Sequence, residues 1–168
     1  ANIRHIGGVY RFNGIGEAFT GVIDVSEFSL RMTGESPGGR FGSALEVCHD
    51  MDGDGAEEWV AAATRASGTD RMNGEVVLVR SRDIADQSDQ VGSGVIDTRW
   101  TGQHLAELAG RSLDCASDLD GDGIPDLVVG SPYADDPLGT DAVGLIHILS
   151  GASLPEPGSL HTRASLTL

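Results

Sequence analysis

The stretch HDMDGDGAEEW, residues 49–59, decides the fold because it does not occur alone. It places aspartates at the alternate positions 50, 52 and 54, and the pattern returns 68 residues later as DLDGDGIPDLV, residues 118–128. The tetrapeptide GVID at 21–24 also returns unchanged at 94–97. Several blocks that recur in the same order are typical of a repeat architecture.

Each copy of the repeat reads as four short strands. Runs rich in Val, Ile, Leu and Tyr are bounded by clusters of Gly, Asp, Ser and Pro, a pattern typical of strands joined by tight turns. The best helical candidate, 104–108, is too short to stand alone. The predicted strands lie near 41–49, 57–64, 74–80 and 91–100 in one copy and near 109–117, 125–130, 143–149 and 160–168 in the next, with earlier strands near 7–13 and 17–30.

Tandem units of four antiparallel strands predict an all-β chain built from β-propeller blades. A β-helix would need much shorter coils, and a sandwich has no reason to repeat internally. The chain would hold about two and a half blades: a partial blade at 1–34, a blade with the first acidic loop at 35–104 and a blade with the second at 105–168. Because a closed propeller takes at least about four blades, we expect a piece of a longer chain or self-association that completes a ring; a monomeric open fragment is the alternative.

The two acidic loops have the chemistry of calcium sites. Calcium takes about six to eight oxygen ligands, and alternate aspartates on a tight turn point at one centre. We expect about two calcium ions per chain, since magnesium demands a smaller octahedral site. The alternative, a pair of solvated Asx turns, would leave clustered carboxylates repelling one another without a counter-ion. The predicted ligands are Asp50, Asp52, Asp54, the carbonyl of Ala56 and Glu58 in the first loop, and Asp118, Asp120, Asp122, the carbonyl of Ile124 and Asp126 in the second.

Neither loop is an EF-hand. An EF-hand needs a bidentate glutamate at loop position 12, where these loops have Ala61 and Val129. The closing acid stands at position 9 instead, as Glu58 or Asp126, and predicted strands flank the loop. The pattern therefore predicts a structural ion that pins a turn between two strands.

These motifs resemble the FG-GAP repeat. The resemblance rests on FGSAL at 41–45, on the D-x-D-x-D-G-x-x-[DE] loops, on GSP at 130–132 and on GLIHI at 144–148. It departs from the pattern at 61–64, where AAAT stands in place of VGSP, and at Ala109-Gly110, which stands in place of Phe-Gly.

The resemblance covers about residues 7–154. It implies the seven-bladed propeller head of integrin α subunits and related bacterial surface proteins. It also implies calcium between the first two strands of a blade and a role in adhesion or protein recognition outside the cell.

Composition excludes several classes of partner. The net charge of −15 argues against nucleic acid and anionic membranes, and no run of 18 apolar residues suited to membrane insertion occurs. The first residues, ANIRHIGG, lack an apolar signal segment, so we expect any export signal to have been removed or never present. Cys48 and Cys115 lie in runs of alternating apolar residues and are expected to be buried thiols. In the register of the repeat they are one residue out of phase, so strict alternation along the strands points them to opposite faces and disfavours a bond between them.

No catalytic arrangement stands out, so we expect a protein that is not an enzyme. The five histidines are scattered and no G-x-S-x-G elbow is present; structural roles are expected for His49 and His147. The prediction is a secreted or cell-surface module that binds a protein or glycan ligand of unknown identity. The alternatives are a lectin-like propeller, in which Trp59 or Trp100 would stack on a sugar, and an accessory domain of a secreted hydrolase. Core packing is the favoured role for both tryptophans.

Overall fold

A computed structural model describes residues 5–12, 24, 30–66, 72–81, 98–136, 142–152, 154, 156–164 and 166–167. These residues are mostly in strands and turns. No helix in this part of the chain is long and apolar enough to cross a membrane. The elements are β1 (Gly8–Arg11), β2 (Leu30–Thr33), β3 (Phe41–Val47), β4 (Trp59–Ala63), β5 (Glu75–Val79), β6 (Thr98–Thr101), β7 (Ser112–Ser117), β8 (Asp126–Ser131), β9 (Leu145–Leu149), β10 (Gly158–Ser159), α1 (Leu160–Arg163) and β11 (Leu166–Thr167).

Three sheets follow one another along the chain. The first sheet pairs β1 with β2, the middle sheet pairs β3, β4, β5 and β6, and the last sheet pairs β7, β8, β9 and β11, all antiparallel. β10 joins the edge of the middle sheet in parallel with β6. The all-β prediction with four antiparallel strands per repeat is confirmed, and no sheet formed by the described residues closes on itself. The division of the chain into three segments stays a prediction.

The central strands of the middle sheet, β4 and β5, are buried on both faces, which explains why they are apolar without alternation. Successive side chains on a strand point to opposite faces. On β4, Val60 packs in one cluster with Leu127 of the last sheet, whereas its neighbour Ala61 packs in another with Met32 of the first sheet. The sheets therefore stack face to face in chain order.

A close backbone contact repeats at the junction between successive sheets. Gly7 forms an isolated parallel bridge with Phe41, and Gly74 forms the same bridge with Ala109. Both glycines have a positive φ, 83° and 86°, and a Cβ on either would collide with the backbone of its partner. Only glycine permits this approach. Gly144 repeats the conformation with a φ of 80°.

Most predicted strands overlap an observed one, but β2 begins only at the last residue of the predicted strand 17–30, and β10 was not predicted. Residues 160–168 do not form one strand: Leu160–Arg163 is α1, and only Leu166–Thr167 pairs, as β11. The reason is that the chain first joins the middle sheet through β10 and must turn before it reaches the last sheet. Most of the predicted strand at 17–30, and residues 91–97 of the one at 91–100, lie outside the described residues.

Cys48 and Cys115 form a disulfide, so the expectation of two separate thiols is wrong. Both residues are buried, with their Cα atoms 5.1 Å apart. The expectation assumed strict alternation, but the pairing of β7 with β8 shifts its register between Asp114 and Ser117. Cys115 lies within this irregularity, where alternation no longer fixes the face to which a side chain points. It can therefore meet Cys48, which directly follows β3.

Candidate metal centres

The first acidic loop joins β3 to β4 and folds around the carboxylate of Asp50. The two oxygens of Asp50 accept hydrogen bonds from the backbone N–H groups of Asp54 and Gly55, both at 2.9 Å. Asp54 in turn accepts a hydrogen bond from the N–H of Ala56 at 2.8 Å. Gly53 and Gly55 have φ values of 77° and 87°, which let the chain turn tightly enough for these contacts.

The second acidic loop joins β7 to β8 and repeats this arrangement. Asp118 accepts hydrogen bonds from the N–H groups of Gly121 at 2.7 Å and Gly123 at 2.8 Å, and Asp122 accepts one from Ile124 at 2.8 Å. The hydrogen bonds from Gly123 and Gly121 lower the pKa of Asp118. The carboxylate is therefore ionised, as a cation ligand must be.

The acid at the ninth position closes each loop. Glu58 accepts the N–H of Met51 and Asp126 accepts the N–H of Leu119, both at 2.8 Å, and both acids are buried. Asp126 also accepts the N–H of Gly151 at 3.0 Å, whereas Oε1 of Glu58 is buried without a hydrogen-bond partner. Burial raises the pKa of Glu58. A cation beside Oε1 would satisfy this oxygen and favour the ionised form.

The predicted ligands converge in both loops, although in different subsets. In the first loop, one oxygen from each of Asp50, Asp52 and Glu58 lies within 4.8 Å of the others. In the second loop the same holds for Asp118, Asp120 and Asp122. The buried Asp126 instead holds two backbone N–H groups. The carboxylate sets therefore suit a cation, while the full ligand set, with the two backbone carbonyls, stays a prediction.

An arginine distinguishes the first loop from the second. Nε of Arg80, the residue after β5, lies 3.3 Å from Oδ2 of Asp52. The equivalent residue after β9 is Ser150, because Val79 and Leu149 occupy matching places in the strand registers. The first loop thus already has a cationic side chain that partly neutralises its carboxylates, and a serine occupies that place in the second repeat.

A third group of candidate ligands lies outside the acidic loops, and the sequence interpretation missed it. Glu107 in the β6–β7 connection, His147 on β9 and His161 on α1 offer ligand atoms within 4.8 Å of one another. The group could have been found in the sequence by looking for polar residues that differ between the two copies of the repeat. The equivalents of Glu107 and His147 in the first copy are Gly39 and Val77.

The tryptophans and His49 do not form a site. Trp100 is fully buried in the core between the middle and last sheets, so it cannot stack on a sugar. Trp59 is half-buried against the core between the first and middle sheets. His49 is exposed beside the first acidic loop. The lectin-like alternative therefore loses its better aromatic candidate.

This chain is similar to known proteins both in one repeat and over most of its length. An FG-GAP repeat family model matches residues 109–149, which include the second acidic loop. The chain is 28% identical to integrin alpha-PS2 of Drosophila melanogaster over 137 residues, which are 78% of this chain and 9% of that protein. It is 30% identical to integrin alpha-5 of Xenopus laevis over 125 residues, 74% of this chain and 12% of that protein. It is 35% identical to integrin alpha-V of Gallus gallus over 92 residues, 55% of this chain and 8% of that protein. The chain thus spans about a tenth of the length of these relatives.

Proposed function

Since the chain is an FG-GAP repeat protein that resembles integrin α subunits, we propose that it is a calcium-stabilised module for adhesion or protein recognition outside the cell. The observation that carries the proposal is the pair of acidic loops, which join the first two strands of the middle sheet and the first two strands of the last sheet. The integrin-like sequence favours a protein ligand and a binding function without catalysis. A lectin-like function and an accessory role beside a secreted hydrolase are the competing functions.

Calcium is the cation that these loops suit. Their side chains offer only carboxylate oxygens, the hard ligands that calcium prefers. Backbone N–H groups already orient Asp50 and Asp118, so little ordering is left to accompany ion binding. The ion's role is structural, because it relieves the repulsion between carboxylates that the turn forces together. One ion per loop makes two per chain.

The disulfide supports a location outside the cytosol. Disulfides form and persist in oxidising compartments, such as the cell surface and the extracellular space. Cys48 and Cys115 are both buried, so their bond belongs to the folded core. A secreted or cell-surface location agrees with the proposed calcium sites, because extracellular calcium-binding modules work at roughly 10⁻⁴–10⁻³ M affinity.

Calcium titration tests the proposal directly. A ligand that binds only the folded state stabilises it by about 2.7 kcal/mol at a concentration 100 times its Kd, which raises the Tm of a domain of this size by roughly 5–11 °C. The expected result is this stabilisation in about 10 mM calcium, which is 100 times a Kd of about 10⁻⁴ M, its loss with chelator, and two bound ions by calorimetry. Absence of any calcium-dependent stabilisation would refute the metal assignment.

A pair of variants separates the second site from a general charge effect. Asp118→Asn removes one loop carboxylate with little change in shape, so it should lower the stoichiometry to one ion per chain. Asp114→Asn removes the same charge from an exposed residue of β7 outside the loop, so both ions should remain. Equal stoichiometry in the two variants would contradict the site.

A glycan array screened in calcium tests the lectin-like function, for which specific sugar binding would be the supporting result.

We also propose that the outer face of the last sheet packs against a second copy of the chain. Val60 and Val76 of the middle sheet are fully buried against the last sheet. Their equivalents on the last sheet are Val128, which is half-buried, and Ile146, which is 46% exposed. An apolar face of this kind favours burial against another sheet. Light scattering should therefore show a multimer that Ile146→Asp dissociates, and a wild-type monomer at high concentration would argue against self-association.

A further inference from the structure

We propose that Glu107, His147 and His161 form a zinc site, distinct from the acidic loops, that fastens α1 to the last sheet and to the β6–β7 connection. The three residues come from three separate segments of the chain. A single ion bound to all three would hold these segments together. The site is independent of the calcium proposal, because no residue is shared between them.

The distances between the ligand atoms suit a small tetrahedral ion. Nε2 of His161 lies 3.0 Å from Oε1 of Glu107, and Nε2 of His147 lies 3.7 Å from the same oxygen. Zinc binds imidazole nitrogen and carboxylate oxygen at about 2.0–2.2 Å in tetrahedral geometry, and this places neighbouring ligand atoms roughly 3.2–3.6 Å apart. The two separations from Oε1 bracket this range, and the third pair of ligand atoms lies within 4.8 Å, so side-chain movements of about an ångström are enough to receive the ion.

The carboxylate of Glu107 is held so that one oxygen faces the histidines. Its Oε2 accepts the backbone N–H groups of Gln103 at 2.8 Å and His104 at 2.9 Å. A Cβ on Gly102 would lie 3.0 Å from the carboxylate, so this glycine leaves room for it. Backbone hydrogen bonds like these two, made to the oxygen that faces away from the histidines, are typical outer-shell contacts of a metal ligand.

Comparing the two copies of the repeat shows which residue types the backbone requires at positions 107 and 147. His147 pairs with Val129 as Val77 pairs with Ala61 in the first copy. The N–H of Glu107 binds the carbonyl of His104, as the N–H of Gly39 binds the carbonyl of Ser36. The same backbone thus forms with valine and glycine at these positions. The fold alone therefore does not require a carboxylate and an imidazole there, and their meeting with His161 points to a binding role that the first copy lacks.

The donor set selects zinc over calcium. Calcium prefers oxygen ligands throughout, whereas imidazole nitrogen with a carboxylate suits zinc. Glu107 and His147 are fully buried, and His161 is half-buried, so a water molecule on the side of His161 would complete the tetrahedron. The role is structural, since the ion would tie α1 into the fold.

Zinc binding measured in the presence of excess calcium tests the proposal. The protein is first stripped with chelator, then dialysed against calcium to fill the acidic loops, and titrated with zinc by calorimetry, with cobalt as a spectroscopic substitute. The expected result is one zinc ion per chain and cobalt bands typical of tetrahedral coordination. No zinc binding, or an octahedral cobalt spectrum, would overturn the proposal.

Two ligand variants and two controls assign the site. His147→Val installs the residue of the first repeat, so the fold should survive, and His161→Ala alters a half-buried side chain. Since loss of an outer-shell partner alone weakens metal affinity about 10–100-fold, loss of a ligand should weaken it by at least about 100-fold. His49→Ala, an exposed histidine, and Asp118→Asn should bind zinc as the wild type does. Unchanged zinc affinity in both ligand variants would refute the site even if calcium binding proceeds as proposed.

Discussion

The junction between the middle and last sheets depends on a glycine, and a matched pair of substitutions tests this. Gly74 has a φ of 86°, and a Cβ there would lie 2.5 Å from the backbone nitrogen and 2.9 Å from the Cα of Ala109. Gly38 has nearly the same φ, 81°, but a Cβ there would meet nothing within 4 Å. Moreover, Ala106 occupies the position equivalent to Gly38 with a φ of 59°. The repeat therefore already accepts alanine at that position.

The two variants share one energetic cost and differ in another. Left-handed backbone costs an alanine about 1–2 kcal/mol, and this applies to both Gly38→Ala and Gly74→Ala. Only Gly74→Ala must also push two backbones apart, and overpacking of this kind costs about 1–3 kcal/mol more. We expect Gly74→Ala to lose roughly 2–5 kcal/mol in total from the sum of these costs.

Urea denaturation followed by tryptophan fluorescence measures both variants against the wild type. Trp100 is buried in the core that joins the two sheets, and the second tryptophan, Trp59, packs against the core between the first and middle sheets, so the emission follows the unfolding of both cores. Unchanged m-values would show that the unfolding reaction is the same in all three proteins. If Gly74→Ala is no less stable than Gly38→Ala, then the close approach of Gly74 to Ala109 does not support the junction and the reasoning fails.

Three further predictions concern the disulfide, the half-buried acid Glu75 and the first acidic loop. Replacing Cys48 and Cys115 by serine opens a loop closed over 67 residues, so the free energy of unfolding should fall by about 4 kcal/mol; a loss below about 1 kcal/mol in urea would contradict this. Burial raises the pKa of Glu75, so the folded state disfavours its ionised form. Glu75→Gln should therefore raise the Tm at pH 7, and the gain should vanish as the pH falls below the ordinary value of 4.5; a gain that persists in acid would contradict it. Arg80→Ser should strengthen calcium binding by the first loop, because it removes the cation beside Asp52, and calorimetry showing unchanged or weaker binding would count against this.

The strands and acidic loops could be predicted because their signals are local and occur twice. Tight glycine turns and apolar runs define β3, β4, β7 and β8 within short windows. The same windows hold the carboxylates that converge at Asp50 and Asp118. In both copies, neighbouring residues determine the geometry, so the sequence contains most of what is needed.

The remaining features depend on contacts between distant segments. β10 pairs with β6 across more than 50 residues, and nothing in either segment indicates this partner. The cluster of Glu107, His147 and His161 likewise joins three segments. The disulfide was not predicted because an irregularity in β7 changes the alternation of its side chains. The sequence of an apolar run does not show where such a shift in register occurs.

The disulfide lies at the start of both acidic loops, and this predicts that its loss weakens calcium binding by the loops. Cys48 precedes Asp50 by two residues, and Cys115 precedes Asp118 by three, so the bond ties together the starts of both loops. Without it, these residues gain freedom that calcium binding must remove, and fixing the backbone of one residue costs about 1–2 kcal/mol.

The expected result is calcium affinity about three- to tenfold weaker in the Cys48→Ser/Cys115→Ser protein, since tenfold corresponds to about 1.4 kcal/mol. The effect is limited because the N–H of Cys48 still binds the carbonyl of Glu58 at 2.8 Å and holds the base of the first loop. Calorimetry on both proteins at a temperature where each is folded makes the comparison. Identical affinities would mean that the backbone hydrogen bonds alone order the loops, and that the disulfide stabilises the core without helping the ion sites.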